Sequence, residues 1–190
     1  IILGGDGLIS LEKVQQSELA QIHFLQKVAF ESLYDTYQDE GSPFKQTQAS
    51  LLAKFKRPLE CYFFIKQQDK RIGYLRVVMD DSGTTAKIGP IGVDPLVEGQ
   101  GIGTQAMQLV EQTFPEVKEW RLSTILQETT LCHFYEKMGY QKTGEIVWIQ
   151  EEMALFFIEF AGEKTHYFNG GVIASKNVEK LAFRGHTNTR

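Results

Sequence analysis

The sequence predicts an α/β fold built on one mixed sheet, and three observations carry this prediction. Apolar segments with strand and helix spacing follow one another in the order β-α-α-β-β-β-α-β-α-β-β. One stretch, residues 87–114, runs from a strand through a glycine loop into an amphipathic helix. The 190 residues are 42% hydrophobic and 23% charged, which is ordinary globular composition. We therefore expect one domain over residues 1–160, followed by a C-terminal extension over residues 161–190.

The first half of the chain predicts one strand, two helices and a group of three strands. Residues 8–14 alternate between polar and apolar side chains, as a half-buried strand does. The first helix follows Ser17, a candidate N-cap, and ends before the sequence Gly-Ser-Pro at 41–43. The second helix follows Thr47 and ends at Pro58. The three strands are expected at 61–66, 71–78 and 85–93.

The second half predicts a βαβ unit, a short helix and two closing strands. The helix after the glycine loop ends at Pro115, and the fifth strand at 120–126 lies beside the fourth. A short helix is capped by Thr129 or Thr130 and ends at Gly139. Strands at 140–148 and 152–160 complete the sheet. The helix after the glycine loop is expected to turn one stripe towards the core, formed by Ile102, Ala106, Leu109, Val110 and Thr113. Trp120 and Trp148 are expected to be core residues.

Composition and charge exclude several classes of protein. A formal net charge of −4 argues against a general nucleic-acid binder, which carries a basic stripe. Cys61 and Cys132 form neither a disulfide framework nor a metal-ligand pattern. The first ten residues lack the basic region of a signal peptide, and the longest apolar run, near 153–158, is too short to span a membrane. We expect a cytoplasmic protein without a metal, a nucleic-acid partner or a membrane span.

The C-terminal extension has its own pattern. The sequence Asn-Gly-Gly at 169–171 predicts a hairpin turn, and residues 176–183 could form one short helix. The extension is expected to cover a sheet edge, contact another subunit or be disordered. A homodimer is therefore left open.

The glycine loop has the composition of an anion site. Gly99, Gly101 and Gly103 let the backbone approach a ligand, and the first amides of the following helix have no internal partners. Those amides and the helix dipole suit a phosphate. A P-loop is excluded because Thr104 follows where that motif has lysine. A dinucleotide site is excluded because Glu119, at the expected distance, opens a strand instead of closing it. A coenzyme A site and a helix start without a ligand remain.

Two motifs resemble those of the GNAT superfamily of N-acetyltransferases. The loop is similar to the acyl-CoA motif, Arg/Gln-x-x-Gly-x-Gly/Ala after a strand, in Val93, Gly101 and Gly103, with Glu98 in place of the usual Gln or Arg. The stretch at 133–144, HFYEKMGYQKTG, resembles the helix-to-strand motif of the same family. The residues that match this second motif are Tyr135, Glu136, Lys137, Gly139 and Tyr140. The resemblance covers roughly residues 8–160, and two motifs in the family's order are far more specific than either alone.

The resemblance implies a GNAT-like acyl-CoA N-acyltransferase fold. This fold is a mixed, mostly antiparallel sheet of six to seven strands flanked by about four helices, with the fourth and fifth strands splayed apart. Acetyl-CoA is the implied cosubstrate, and no metal is implied. Its pantetheine chain is expected to pair with Ile91 and Val93 on the fourth strand. The residues expected to hold its pyrophosphate are Gly99, Gln100, Gly101, Ile102, Gly103 and Thr104.

The resemblance also implies catalytic roles. Tyr135 would be the general acid that protonates the departing thiolate, although its helical spacing also suits a core residue. A strand amide near Val93 would donate to the carbonyl oxygen of the thioester. Glu128 is the best of several candidates for the general base, ahead of Asp80 and Asp81, which look like solvated turn residues.

The acceptor is expected against the first two helices. The stretch at 31–44 concentrates aromatic and acidic side chains, and Tyr34, Tyr37 and Asp39 could bind a cationic amine. Tyr37 also lies on the core stripe of its helix, and Asp39 also suits a solvated helix end.

The function implied is N-acetylation of a small-molecule or amino-acid-like primary amine by direct attack on acetyl-CoA. The alternative is a catalytically weak module of the same fold that binds or senses an acyl-CoA, or packs against a partner. A dinucleotide-dependent oxidoreductase is excluded because no further strand-helix units of that fold follow.

Overall fold

A computed structural model describes residues 8–161, 167–168 and 171–172 of the chain. The four helices are α1 (Leu19–Tyr37), α2 (Gln48–Phe55), α3 (Ile102–Thr113) and α4 (Thr129–Lys137). The strands are β1 (Ile9–Lys13), β2 (Glu60–Gln67), β3 (Lys70–Met79), β4 (Thr85–Val93), β5 (Glu119–Ile125), β6 (Gln141–Gln150), β7 (Met153–Ala161), β8 (Tyr167–Phe168) and β9 (Gly171–Val172). Short 3₁₀ turns lie at Gln16–Glu18, Pro43–Lys45 and Pro95–Val97. No helix in this described part of the chain is long and apolar enough to cross a membrane.

Seven strands form one sheet in the order β1-β2-β3-β4-β5-β7-β6. Only β4 and β5 run parallel to each other, and each of the other neighbouring pairs is antiparallel. This arrangement confirms the predicted mixed, mostly antiparallel sheet with four flanking helices.

The parallel strands β4 and β5 separate along their length. They pair only at their first residues, from Thr85 opposite Glu119 to Lys87 opposite Arg121. β4 continues to Val93 and β5 to Ile125 without further pairing. The two strands are therefore splayed as predicted, and an opening lies between their carboxyl-terminal halves.

The sheet has an apolar cluster on each face. Successive residues of a strand point to opposite faces, and in β2 Phe63 and Ile65 belong to one cluster while Tyr62 and Phe64 belong to the other. The first cluster includes α3 and α4, and the second includes α1 and α2. Each face of the sheet is thus covered by two helices, as in a three-layer α/β fold.

Helix termini agree with the sequence in part. Thr47 caps α2 through its Oγ1, which accepts a hydrogen bond from the amide of Ser50 at 3.2 Å. Ser17 is not a cap, because a 3₁₀ turn precedes α1 and the carboxylate of Glu18 accepts the amide of Gln15 at 2.8 Å. At α4 neither predicted threonine caps the helix, because the N-cap position is one residue earlier.

Two core predictions are wrong. Trp148 lies on β6, the last strand of the sheet, and 62% of its surface is exposed, whereas Trp120 is buried as predicted. On α3 the exposed Thr113 is not part of the inward stripe, and Met107 is buried instead. The spacing of apolar residues along a strand does not show whether that strand lies at the edge of the sheet.

Beyond Ala161, the last residue of β7, the extension is described only at two short strands. β8 and β9 pair antiparallel, with Tyr167 opposite Val172. Residues 169–170 of the turn predicted at 169–171 lie outside the described residues, as does the helix predicted at 176–183. The domain boundary at residue 160 stays a prediction.

Candidate functional site

A cleft of about 410 Å³ opens where β4 and β5 diverge. Its walls come from α1 and the loop after it, from β4 and β5, and from α4 and β7. Five of the predicted site residues line this cleft, namely Tyr37, Asp39, Ile91, Val93 and Tyr135. The tertiary structure thus brings together residues that lie on three separate parts of the sequence.

The edge of β4 that faces the opening carries main-chain donors. The amide of Asp94 donates to the carbonyl of Ile72 at 2.7 Å, and Val93 lies opposite Gly73 in the ladder. Hydrogen-bonded and non-hydrogen-bonded pairs alternate along an antiparallel ladder, so Val93 belongs to a non-hydrogen-bonded pair. Ile91, two residues earlier, has the same position in the alternation. The amides of Ile91 and Val93 therefore point away from β3, towards the side where β5 has separated.

A bulge interrupts β4 just before this edge. The register with β3 shifts between Leu75, opposite Ile91, and Val77, opposite Ile88. The peptide bond between Gly89 and Pro90 is cis, and the Nε of Arg76 donates to the carbonyl of Gly89 at 2.8 Å. The bulge interrupts the regular ladder at residues that line the cleft.

The glycine loop leads from β4 into α3. Gly99 and Gly101 have φ angles of +77° and +74°, which L side chains rarely adopt, and a Cβ at either position would meet open space. The first backbone hydrogen bond of α3 joins the amide of Gln105 to the carbonyl of Gly101 at 3.1 Å. The amides of residues 102–104 precede that bond and have no partner within the helix. A loop with free amides and no side chains over it fits a phosphate.

The remaining loop residues have different surroundings. A Cβ on Gly103 would lie 3.2 Å from the Cζ of Phe134, so this glycine allows α3 and α4 to pack together. Gln100 is exposed, and Glu98 is exposed at the rim of the cleft. The carboxylate of Asp94 accepts the amide of Leu96 at 2.9 Å and shapes the turn before the loop, which the sequence reasoning missed.

Tyr135 lines the cleft from α4. It lies on α4 and is buried, with its ring edge-on to Phe134 at 4.9 Å and to Tyr140 at 6.1 Å. No described side chain or backbone group forms a hydrogen bond with its hydroxyl. Burial raises the pKa of Tyr135 to about 12, so the phenol is protonated at neutral pH. The aromatic packing shows that the residue also belongs to the core.

Tyr37 and Glu128 are hydrogen-bonded to each other, a contact that was not predicted from the sequence. The hydroxyl of Tyr37 donates to Oε1 of Glu128 at 2.7 Å. Burial and the neighbouring carboxylate raise the pKa of Tyr37 to about 12. Tyr37 lines the cleft while Glu128, the N-cap residue of α4, lies behind it. The predicted base is therefore linked to the cleft through the hydroxyl of the predicted acceptor residue.

The other predicted acceptor and base residues are separated. Tyr34 stacks on Phe44 at 4.8 Å, and its hydroxyl donates to Glu40 at 3.3 Å, so it is not among the lining residues. Asp39 lines the cleft and accepts the amide of Gly41 at 2.8 Å. Asp80 accepts a hydrogen bond from Ser82 within the β3–β4 turn, away from the cleft.

The sequence reasoning missed the basic side chains of the cleft. Lys54 on α2, Arg76 on β3 and Lys87 on β4 all contribute to its lining. They are too far apart in the sequence to be recognised as one motif. In the described ranges, no group of three histidine, cysteine or acidic side chains is placed to hold a metal ion.

Comparison with protein families and solved structures places the chain among known folds. The model of the acetyltransferase (GNAT) family matches residues 23–140. No curated protein matches the chain in sequence. A spermidine N-acetyltransferase from Vibrio cholerae, solved with CoA and spermine, is similar with a TM-score of 0.65 and 16% identity, over 80% of this chain and 95% of that chain.

Two further solved structures have the same fold. An acetyltransferase from Thermus thermophilus has a TM-score of 0.64 and 13% identity, over 83% of this chain and 99% of that one. The ribosomal L7/L12 alpha-N-protein acetyltransferase RimL, in complex with coenzyme A, has a TM-score of 0.63 and 13% identity, over 81% of this chain and 94% of that one. At these identities the likeness concerns the fold.

Proposed function

The chain belongs to the acetyltransferase (GNAT) family, and from this premise we propose that it transfers the acetyl group of acetyl-CoA to a primary amine. The acceptor is a small molecule or an amino-acid-like compound. The transfer is direct, so the amine attacks the thioester without an acyl-enzyme. Acetyl-CoA supplies the activated acyl group.

One observation carries this proposal, namely two sets of amides without a strand or helix partner, one along the open edge of β4 in the cleft and one at the start of α3. The amides of Ile91 and Val93 point towards the gap left by β5, and the loop amides at 102–104 precede the first bond of α3. An extended amide chain that ends in a pyrophosphate offers partners of both kinds. We therefore assign pantetheine pairing to Ile91 and Val93. Pyrophosphate binding is assigned to Gly99, Gln100, Gly101, Ile102, Gly103 and Thr104.

Tyr135 acts as the general acid in this proposal. Its protonated hydroxyl has no partner among the described groups and lines the cleft, so it is available to give a proton to the sulfur that leaves. The amide of Val93 donates to the thioester carbonyl oxygen, where negative charge develops.

Glu128 accepts the proton of the amine through Tyr37. The ammonium of the acceptor gives a proton to the hydroxyl oxygen of Tyr37, and the hydroxyl proton moves to the carboxylate of Glu128 at 2.7 Å. Asp39, on the same wall of the cleft, attracts the incoming cation. Tyr34 has no contact with the cleft and takes no part in this scheme.

The experiment that tests the function combines binding and turnover. Acetyl-CoA is titrated into the protein by calorimetry, and release of free thiol is followed over a panel of primary amines. We expect heat from binding and amine-dependent thiol release. For Tyr135→Phe, general-acid catalysis of this kind predicts a loss of about 100-fold or more in kcat, with binding of acetyl-CoA preserved.

Phe134→Leu is the matched control, because it changes the neighbouring ring on the same helix without removing a hydroxyl. Wild-type turnover by Tyr135→Phe would remove the acid role. If acetyl-CoA binds but no amine of the panel supports thiol release, the result would support the alternative, an acyl-CoA sensing or interaction module. No binding at all would remove both functions.

A further inference from the structure

One part of the cleft, next to Gly89, is lined by basic side chains. Lys54 comes from the last turn of α2, Arg76 from β3 and Lys87 from the first half of β4. The side chain of Arg76 is only 16% exposed, and Lys54 is half-buried. Lys54 and Arg76 come from different elements and lie within electrostatic range of each other, whereas the Nζ of the exposed Lys87 lies 5.8 Å from the centroid of the Phe157 ring.

Around Lys54 and Arg76, positively charged side chains outnumber negatively charged ones. The Nη1 of Arg76 lies 3.6 Å from Oε2 of Glu60, whose side chain is only 6% exposed. The exposed Arg57 shares that carboxylate at 3.4 Å. Within the described residues, no carboxylate lies within ion-pair distance of Lys54. Arg57 and Arg76 therefore share the single carboxylate of Glu60.

The environment of Lys54 opposes its own charge. Burial lowers the pKa of Lys54, and the positive charge of Arg76 lowers it further. A half-buried ammonium without a partner is unfavourable, and an anion in the cleft would remove that penalty. Arg76 also has N–H donors left for an anion. Its guanidinium carries five N–H groups, and its partners are the carbonyl of Gly89, the carboxylate of Glu60 and the hydroxyl of Tyr62.

These cations lie away from the predicted pyrophosphate site. Arg76 contacts Gly89, and Val93 follows four residues later on an extended strand, which corresponds to roughly 13 Å. The glycine loop begins beyond Val93, after a further 3₁₀ turn. Lys54 and Arg76 therefore lie on the acceptor side of the position where a thioester would meet β4.

The acidic groups of the cleft lie elsewhere. Glu98 lies in the chain beyond the end of β4, and Asp39 lies in the loop after α1 with one oxygen bonded to the amide of Gly41. The charge of the lining is thus divided, with acids at the loops and cations around Gly89. A ligand that carries both an ammonium and a carboxylate matches this division, whereas a polyamine would place a cation against Lys54 and Arg76.

We infer that the acceptor is an amino carboxylate whose carboxylate pairs with Lys54 and Arg76 while its amine faces the opening between β4 and β5. This inference rests on the proposed function and names its substrate class. Lys54 is the residue that selects for the anion, since Arg76 also neutralises Glu60 within the protein.

The first experiment compares three five-carbon amines as acceptors with acetyl-CoA: δ-aminovalerate, cadaverine and pentylamine. A charge-assisted contact predicts that the wild-type protein prefers δ-aminovalerate by about tenfold or more in kcat/KM. Lys54→Met is expected to lower only the value for δ-aminovalerate, mainly through KM. Lys56→Met, an exposed lysine two residues further on, is the matched control and is expected to keep the wild-type order.

The second experiment needs no turnover. Valerate, which has the carboxylate but no amine, is expected to raise the Tm of the wild-type protein and of Lys56→Met, and not that of Lys54→Met. Equal use of the three amines by the wild-type protein, or an equal loss for all three in Lys54→Met, would overturn the inference. If no amine is acetylated while valerate still discriminates between the variants, the transferase proposal fails and the anion site stands. If amines are acetylated without preference and valerate has no effect, the anion site fails and the transferase stands.

Discussion

The hydrogen bond between Tyr37 and Glu128 joins residues that are 91 positions apart in the chain. Each residue was a candidate for a separate role, one in acceptor binding and one as the base. In the proposed reaction, their contact at 2.7 Å makes the two residues one path for a proton. A carboxylate behind a tyrosine hydroxyl can remove a proton from the cleft without entering it, which keeps its charge away from the thioester.

At the scale of these residues we expect Glu128→Gln to lower kcat/KM by about 100-fold at neutral pH, as loss of a general base does. The rate should rise with pH towards the pKa of the acceptor amine, because only the amine that is already deprotonated can then react. Tyr37→Phe should show the same profile, since it interrupts the same path. The measurement is a pH profile of kcat/KM with saturating acetyl-CoA.

The matched control is Glu151→Gln, which changes an exposed acid in the β6–β7 turn. It should retain the wild-type profile. If Glu128→Gln and the wild-type protein have the same pH dependence, the proton leaves by another route and the role of Glu128 is wrong.

At the scale of elements, the junction between β4 and α3 carries the proposed binding of acetyl-CoA. The strand contributes amides along its open edge, and the helix contributes amides at its first turn. The two sets are joined by a loop in which Gly99 and Gly101 adopt left-handed conformations. Helix α1 packs closely against the strand of this junction at Gly92. A Cβ on Gly92 would lie only 2.8 Å from the Cβ of Ala29, so the close contact requires glycine there.

For this junction we expect Gly101→Ala to weaken binding of acetyl-CoA by about tenfold, which is about 1.4 kcal/mol. The substitution should also cost about 1 kcal/mol of folding stability, because alanine is strained at a positive φ. The physical reason for the affinity loss is that the methyl group lies where a phosphate would approach the amides. Calorimetry measures the affinity, and urea unfolding measures the stability.

Gly83→Ala is a closely matched control for this variant. Gly83 has a φ angle of +70° with open space around its Cβ, and it lies in the β3–β4 turn away from the cleft. It should lose similar stability and keep the affinity for acetyl-CoA. Equal affinity in both variants would show that the loop at 99–104 does not hold the pyrophosphate.

At the scale of the whole molecule, one arginine ties the first elements of the chain to the sheet. Arg71 on β3 pairs with Glu12 on β1 and with Glu18 in the turn before α1, the latter at 2.5 Å. Hydrogen bonds from Arg71 and Lys66 hold the pKa of Glu12 below its usual range. The amide of Gln15 and then Arg71 do the same for the pKa of Glu18. This cluster fixes α1, which forms one wall of the cleft.

The depressed pKa values predict acid destabilisation of the molecule. A carboxyl group whose pKa is lower in the folded state stabilises the fold above its unfolded pKa, near 4.5, and this contribution is lost as pH falls through the folded value. Glu18→Gln should therefore be less stable than the wild-type protein by about 1 kcal/mol at neutral pH, after allowance for solvent screening. The difference should shrink below pH 4.5, as measured by urea unfolding at several pH values.

Glu31→Gln serves as the control, because Glu31 is exposed on α1 and has no ion pair among the described residues. Its stability should follow that of the wild-type protein at every pH. A stability difference for Glu18→Gln that persists unchanged in acid would contradict the electrostatic explanation.

The order of elements was predictable because it depends on local periodicity and on turn residues. The glycine loop and the stretch at 133–144 could also be found in the sequence, since their residues are contiguous. The predicted helix starts were less accurate. Ser17 was predicted to cap α1, but a 3₁₀ turn held by the contact between Gln15 and Glu18 precedes that helix. Trp148 was misplaced because burial at a sheet edge depends on strand order, which is a property of the whole sheet.

The sequence by itself determined that this protein has a mixed α/β sheet, a strand–glycine loop–helix junction and a tyrosine on a short helix, because each of these is encoded by neighbouring residues. The tertiary structure alone decided which side chains share the cleft. The separation of β4 from β5, the contact of Tyr37 with Glu128 and the convergence of Lys54 with Arg76 all join distant segments. Such contacts depend on how strands are ordered and helices pack, and local spacing carries no information about them.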